Sequence, residues 1–279
     1  MEIIKQKKFT GERALFNVRD IEIRDSVFED GESPIKESTN VKISGAIFRW
    51  KYPLWYCNGV NVSDSVFIET ARSGIWYTKD ITFGNCTVDA PKMFRRCDGI
   101  TIKDSTFSNA SETLWNCKNI SIESTAVNGD YFGMGSENVR CAGISVSGNY
   151  LFDGAKNIEI SDSKLISKDA FWNCENVVVK DCFIVGEYLG WNSKNVKFIN
   201  CTIESNQGMC YIDGLILENC KLINTDLAFE YSKVDADVAS KIDSVKNPIS
   251  GRIKAESIEK IILDEKVIDP KKTVIELTD

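Results

Sequence analysis

Five of the six tryptophans in this 279-residue chain fall at one position of an internal repeat: Trp55, Trp76, Trp115, Trp172 and Trp191. The intervening copies place Phe16, Lys36, Arg95, Met134 and Asp153 there, and Arg72, Lys92, Arg96, Glu112, Asp130, Asp169 and Glu187 lie close by in sequence. Aromatic side chains interleaved with both signs of charge suit recognition of a ring-bearing polar ligand, with rings for stacking and forks or carboxylates for directional contacts. Candidate ligand-binding residues are therefore Trp55, Arg72, Trp76, Lys92, Arg95, Arg96, Trp115, Trp172 and Trp191.

The chain has no histidine, which removes the commonest general base and the commonest zinc ligand. Any catalysis has to run on carboxylates, Arg, Lys, Tyr or Cys. Elimination on a uronate needs a cation to neutralise the carboxylate and a base for the adjacent proton, roles open to Lys92, Arg95 and Arg96. Hydrolysis needs two carboxylates about 5 to 9 Å apart, and Glu112 and Asp130, one repeat apart, are the pair nearest that requirement. Neither grouping is a recognised motif, and the competing reading is a set of charges that solvates an aromatic face. No metal site and no cofactor is expected.

The element that must position these residues is a repeat of about 20 residues. Its clearest copy runs from Cys174 to Ile184: apolar residues alternate at Val177 and Val179, a turn former follows at Asp181, and alternation resumes at Cys182 and Ile184. That is two short strands joined at a one-residue corner. Equivalent residues are Ile21, Val41, Val60, Ile81, Ile100, Ile120, Val139, Ile158, Val177, Val196 and Leu215, spaced by 19 to 21. A strand-type repeat of this length with no amphipathic helix between copies predicts the stacked coils of a solenoid, because one coil alone cannot bury its apolar face. The residue before each first strand is Asn, Asp or Gly throughout, the types that accept a left-handed corner at low cost. Five successive copies carry Asn there, from Asn119 to Asn195, and stacking predicts a ladder of side-chain amides.

Whether the tryptophans face out is less direct. Alternation counted from the nearby cysteine position points them inward, whereas Lys36, Arg95 and Asp153 at the same position favour an outward stripe with a bulge to reset the phase. On the outward reading, Trp55 and Trp191 are seven coils apart and the stripe spans roughly 34 Å at about 4.8 Å per coil.

A net charge of −7 leaves no basic footprint for nucleic acid, and neither a signal peptide nor a membrane-length apolar run is visible. The expectation is a cytoplasmic, all-β, single-domain protein of eleven or twelve coils. Residues 1–14 form an N-terminal cap, 15–233 the coils, and 234–279 a closing coil and C-terminal cap with an outlying strand at Thr273 to Leu277. Eight of the ten cysteines fall in two positions of the repeat, Cys57, Cys97, Cys117 and Cys174 in one and Cys86, Cys182, Cys201 and Cys220 in the other. Ser, Thr or Ala replaces them elsewhere, so they read as reduced, buried small side chains.

The coil pattern Asn-Val-Val-Val-Lys-Asp-Cys-Phe-Ile resembles the pectin-lyase-like right-handed parallel β-helix proteins over roughly residues 15 to 235. The stretches Gly11 to Phe16, Lys51 to Tyr56, Gly74 to Thr78 and Gly186 to Trp191 are similar, more narrowly, to a bacterial family of unknown function with that fold. The wider resemblance implies polysaccharide chemistry by analogy of fold. Its polygalacturonase-like members use an aspartate cluster with an adjacent Asp-Asp pair and a histidine, both absent from this sequence. Its calcium-dependent lyases gather carboxylates on the outer face of the first strand. Here that face reads Glu22, Lys42, Asn61, Thr82, Thr101, Ser121, Arg140 and Glu159, with no run of acids to hold a hard cation. Two functions follow as expectations: a carbohydrate-binding or carbohydrate-processing protein with a Trp/Arg face, for an acidic oligosaccharide, or a non-enzymatic protein-interaction scaffold using the same stripe.

Overall fold

A computed structural model of the chain describes residues 2–278. They form an all-β parallel solenoid of about 15 turns, without α-helix. The polypeptide divides into two compact units, residues 1–140 and 141–279.

In the first unit, long strands at Glu2–Lys5, Arg19–Arg24, Thr39–Ser44, Asn58–Ser63, Lys79–Gly84, Asp98–Lys103 and Lys118–Glu123 pair in parallel, each with the next. Ile21, Val41, Val60, Ile81, Ile100 and Ile120 stand in register and are buried, as the 20-residue spacing requires. A second ladder of two-residue strands stacks Phe9, Phe28, Phe48 and Phe67 ring on ring, with centroids 4.4 to 4.9 Å apart. In the second unit the long ladder runs through Lys156–Ser161, Glu175–Lys180, Lys194–Ile199, Asp213–Ile223, Lys233–Val238, Ser250–Ala255 and Thr273–Leu277. The count of turns exceeds eleven or twelve because Glu2–Lys5 at one end and Ser250–Ala255 and Thr273–Leu277 at the other also pair as rungs. Backbone pairing needs no particular side chain, so these rungs persist where the apolar alternation has faded.

The corners obey the expected residue rule. Asp20, Asn40, Asp80 and Asn119 in the first unit, and Asn157, Asn176 and Asn195 in the second, all take positive φ between 51° and 59°. The amide ladder forms within each unit: Asn138 donates to Asn119 at 3.0 Å, Asn176 to Asn157 at 2.9 Å and Asn195 to Asn176 at 3.0 Å.

All ten cysteines are free and buried. In the first position, Cys57, Cys97, Cys117 and Cys174 each direct S–H at a main-chain carbonyl of the preceding coil, that of Ile35, Ile75, Phe94 and Phe152. Thr78, Ser136 and Ser193 occupy the same slot and make the same bond to Leu54, Leu114 and Phe171. Where Cys, Ser or Thr fills the slot it donates this bond, which explains why the three interchange here, and Ala155 fills it by size alone. Burial pushes the Cys57 and Cys86 thiols up to about 11 and those of Cys174 and Cys210 up to about 12. Thiolates are the reactive form. Hydrogen bonds from Cys182 and Cys220 pull the Cys201 thiol down instead, but it is as buried as the others, so titration with a thiol reagent at neutral pH is expected to modify almost none of the ten in the native protein and all ten in denaturant; several fast-reacting native thiols would contradict this packing.

Candidate functional site

The tryptophan stripe faces outward, and a corner accomplishes it. Leu54, Ile75, Phe94 and Leu114 are fully buried, the next residues Trp55, Trp76, Arg95 and Trp115 are half-exposed, and the residues after those, Tyr56, Tyr77, Arg96 and Asn116, take positive φ of 52° to 59°. This left-handed residue, joined by a second one at Phe94, Leu114 and Phe171, turns the chain so that two successive side chains point out before the cysteine slot points in. The phase is reset by this corner, and the same arrangement holds at Trp172–Asn173 and Trp191–Asn192. Four of the five indoles are tied to the coil that follows them. Trp55 Nε1 donates to the Ser73 carbonyl (2.6 Å), Trp76 to Lys92 (3.0 Å), Trp115 to Tyr131 (2.8 Å) and Trp172 to Tyr188 (2.8 Å).

In the first unit the row closes on itself. Trp55 and Trp76 stack with centroids 4.9 Å apart and planes 8° from parallel. The Arg95 guanidinium lies 4.6 Å from the Trp76 ring and 4.7 Å from the Trp115 ring, so the space between those two indoles is filled from within the chain. Glu112 anchors Arg95 at 3.3 Å and Lys92 at 3.2 Å, which compensates its charge. The ring faces are therefore turned toward one another along the row, and edges meet solvent. Arg72 and Arg96 are exposed and form no ion pair among the described residues. Asp130 is exposed, and its carbonyl accepts from the Glu112 amide.

The second unit combines aromatics with acids. Trp172 and Trp191 stack at 6.1 Å, Trp191 continues to Tyr211 at 4.5 Å, and Tyr211 to Tyr231 at 5.2 Å. Tyr150 and Tyr188 stand edge-on to Trp172 and Trp191, at 5.9 and 5.8 Å. These tyrosines and Asp169 share the position three before the tryptophans, at which Glu112 sits in the first unit. Asp169 is only 3% exposed, and its Oδ1 has no hydrogen-bond partner among the described residues. Burial, together with repulsion from Glu187 and Asp153, raises the Asp169 carboxyl above the usual carboxylate range, against the opposing pull of Lys168 and of a hydrogen bond from Tyr150. Asp153 accepts from Asn173 Nδ2 at 3.0 Å, while Glu187 pairs with Lys168 at 3.3 Å. The aromatic position was legible as a column of tryptophans, whereas the tyrosines three residues earlier were not read as a column, because Ser33, Ser73, Lys92 and Gln207 interrupt them.

Elsewhere in the second unit, a shallow groove of about 480 Å³ crosses the outer face of the long strands at Val178, Lys197 and Ile216. Among the described residues no group of three or more His, Cys, Asp or Glu side chains is arranged to hold a metal, and no helix is long and apolar enough to cross a membrane.

A family model described as protein of unknown function (DUF3737) matches residues 2–276. The chain belongs to that family. No curated protein matches the sequence. Among solved structures, the chain is similar to the tailspike protein gp49 of Acinetobacter baumannii bacteriophage Fri1, a capsular polysaccharide depolymerase. Identity is 9% and the TM-score 0.52, with 85% of this chain and 62% of the tailspike covered. The DUF3737 chain thus spans less than two thirds of the tailspike's length. It is also similar to PfbA, a surface adhesin of Streptococcus pneumoniae, at 10% identity and TM-score 0.48, over 93% of this chain and 83% of the adhesin. A third is the A-module of the mannuronan C-5 epimerase AlgE4 of Azotobacter vinelandii, at 10% identity and TM-score 0.30, over 99% and 88%. At such identities the likeness is one of fold alone.

Proposed function

We propose that the protein binds carbohydrate along its aromatic stripe, in a carbohydrate-recognition or carbohydrate-processing role. The observation that carries this reading is the half-exposed row of Trp and Tyr side chains at one position of successive coils, with exposed polar and charged groups between them. Aromatic edges held rigidly by stacking and by indole hydrogen bonds form a preorganised rail, so a ligand that lies on it orders few side chains on arrival. The tailspike is a capsular polysaccharide depolymerase, and the shared scaffold makes an extended saccharide a natural guest for a flat, periodic surface.

In the first unit the groups open to an acidic oligosaccharide are Arg72 and Arg96, because Arg95 is held between two indoles and Glu112. Arg96 follows the row directly, where its guanidinium fork suits a uronate carboxylate. Titration of the protein with acidic and neutral oligosaccharides, followed by tryptophan fluorescence, is expected to show binding that falls about tenfold in Arg96→Ala, the loss of one charge-assisted contact. The melting temperature of that variant should match the parent's, since the side chain is exposed. If no oligosaccharide binds, the stripe is instead the interface of a protein-interaction scaffold.

A further inference from the structure

We propose that the second unit carries a subsite for a protonated amino sugar, in which the ammonium of a hexosamine sits against Asp169 and Asp153 and is bordered by Tyr150, Tyr188, Trp172 and Trp191. The inference rests on the reading of the stripe as a carbohydrate surface and adds the class of sugar.

Four observations lead to it. Asp169 is 97% buried, yet its Oδ1 accepts from no group among the described residues, which leaves a strong acceptor unused where unused acceptors are costly. Its burial is shallow in origin: Tyr150, Lys92, Glu112 and Tyr188, at the same position of other coils, are all partly exposed, so large side chains on adjacent coils shade a surface carboxyl. Charge is unbalanced, since Asp153, Asp169 and Glu187 face the single ammonium of Lys168. Finally, the neighbourhood already accepts an ammonium: Lys168 Nζ lies 5.6 Å from the Tyr188 ring centroid while it pairs with Glu187. A cation between an aromatic face and a carboxylate is the arrangement by which proteins hold organic ammonium groups. The corresponding carboxylate of the first unit, Glu112, is already occupied by Lys92 and Arg95, so the same fold position is satisfied internally there and open here.

The sugar ring distinguishes this ligand from a simple amine. Trp191 and Tyr211 continue the row beyond Trp172 and present edges to the next residues of a chain. The site favours the ionised carboxyl when a cation is bound, and Asp169 is biased toward its neutral form without one. Affinity should therefore rise with pH through the raised Asp169 titration, the other facing groups being Lys168, Tyr150, Glu187 and Asp153.

The test uses the full chain at low salt near about pH 6, where a carboxylate and an ammonium coexist. Its probes are the β-1,4-linked tetramer of glucosamine, its fully N-acetylated counterpart, and tetralysine. The glucosamine tetramer is expected to bind about tenfold more tightly than either, and Asp169→Asn should abolish that preference without lowering the melting temperature. Should Asp169→Asn fail to fold, Asp153→Asn is expected to reduce the preference in the same direction. Equal binding of both glucosamine forms overturns the ammonium subsite and leaves the carbohydrate reading standing. Tetralysine that binds as well as the sugar overturns the assignment to an amino sugar. If neither glucosamine form binds, the subsite is refuted, and the oligosaccharide titration of the first unit then decides the broader reading separately.

Discussion

Replacing Phe67 with alanine is expected to remove about 4 kcal/mol of stability, within the range for deletion of a fully buried aromatic ring. Phe67 has no exposure and stacks on Phe48 at 4.4 Å and against Phe83 at 5.3 Å. Its removal opens a void in a column whose neighbours are fixed by parallel strand pairing above and below, Phe48 on one side and Val88 on the other. Those strands cannot move toward each other without breaking the register of the whole coil, so collapse into the void is limited. In a solenoid each turn contacts only its neighbours, and a weak turn interrupts the cooperative unit to which it belongs. Calorimetry should show a melting transition lowered by about 10 °C, given roughly 2–4 °C per kcal/mol for chains of this size. A shift under about 2 °C would mean that the aromatic column does not carry the packing assigned to it.

Gly251→Ala is expected to act as strongly by a different route. Gly251 lies within the strand Ser250–Ala255 with φ at +118°, and a Cβ there would stand 1.9 Å from the Val234 carbonyl oxygen. That oxygen belongs to the neighbouring rung, where Val234 pairs with Gly251, so it has no free direction of retreat. The variant must break the pairing locally, at a cost of about 3 kcal/mol or more from the clash and the unfavourable φ together. Hydrogen exchange should report loss of protection over residues 250–277 with the earlier coils unaffected. The control is Gly154→Ala, where φ is +68° but no atom lies within 4 Å of the added methyl. Only the left-handed penalty of about 1–2 kcal/mol applies there. Equal behaviour of the two variants would remove the steric argument.

Much of the architecture was legible because a solenoid writes its structure into spacing. The ladder of Ile, Val and Leu, the Asn and Asp corners and the two cysteine positions each follow from one side chain meeting its own counterpart a coil away. In such a stack a local sequence signal becomes a long-range contact by repetition alone. The site was legible in part. The column of tryptophans was visible, and so were the charges around it, including Asp169 and Glu187.

What the sequence by itself determined, then, is the parallel solenoid, its period, its corner residues and the identity of the aromatic stripe, because each depends on side-chain types recurring at fixed intervals. Tertiary structure decided the rest. The outward direction of the tryptophans depends on a left-handed corner just after each of them, which Asn116, Asn173 and Asn192 suit by type but which Tyr56 and Tyr77, after Trp55 and Trp76, do not announce. The strand at Thr273–Leu277 is where the sequence places it, but that it and Glu2–Lys5 join the ladder as rungs depends on backbone hydrogen bonds, which carry no side-chain signature. In sequence Arg95 is a candidate ligand residue at the tryptophan position and Asp169 only a charge close to the row. Only the packing of neighbouring coils placed the first between two indoles with a carboxylate partner for its Nη2, its Nε left without one, and left the second buried with an acceptor to spare. The difference is one of partners in space, and a one-dimensional repeat fixes which residues stack without fixing which of their atoms are satisfied.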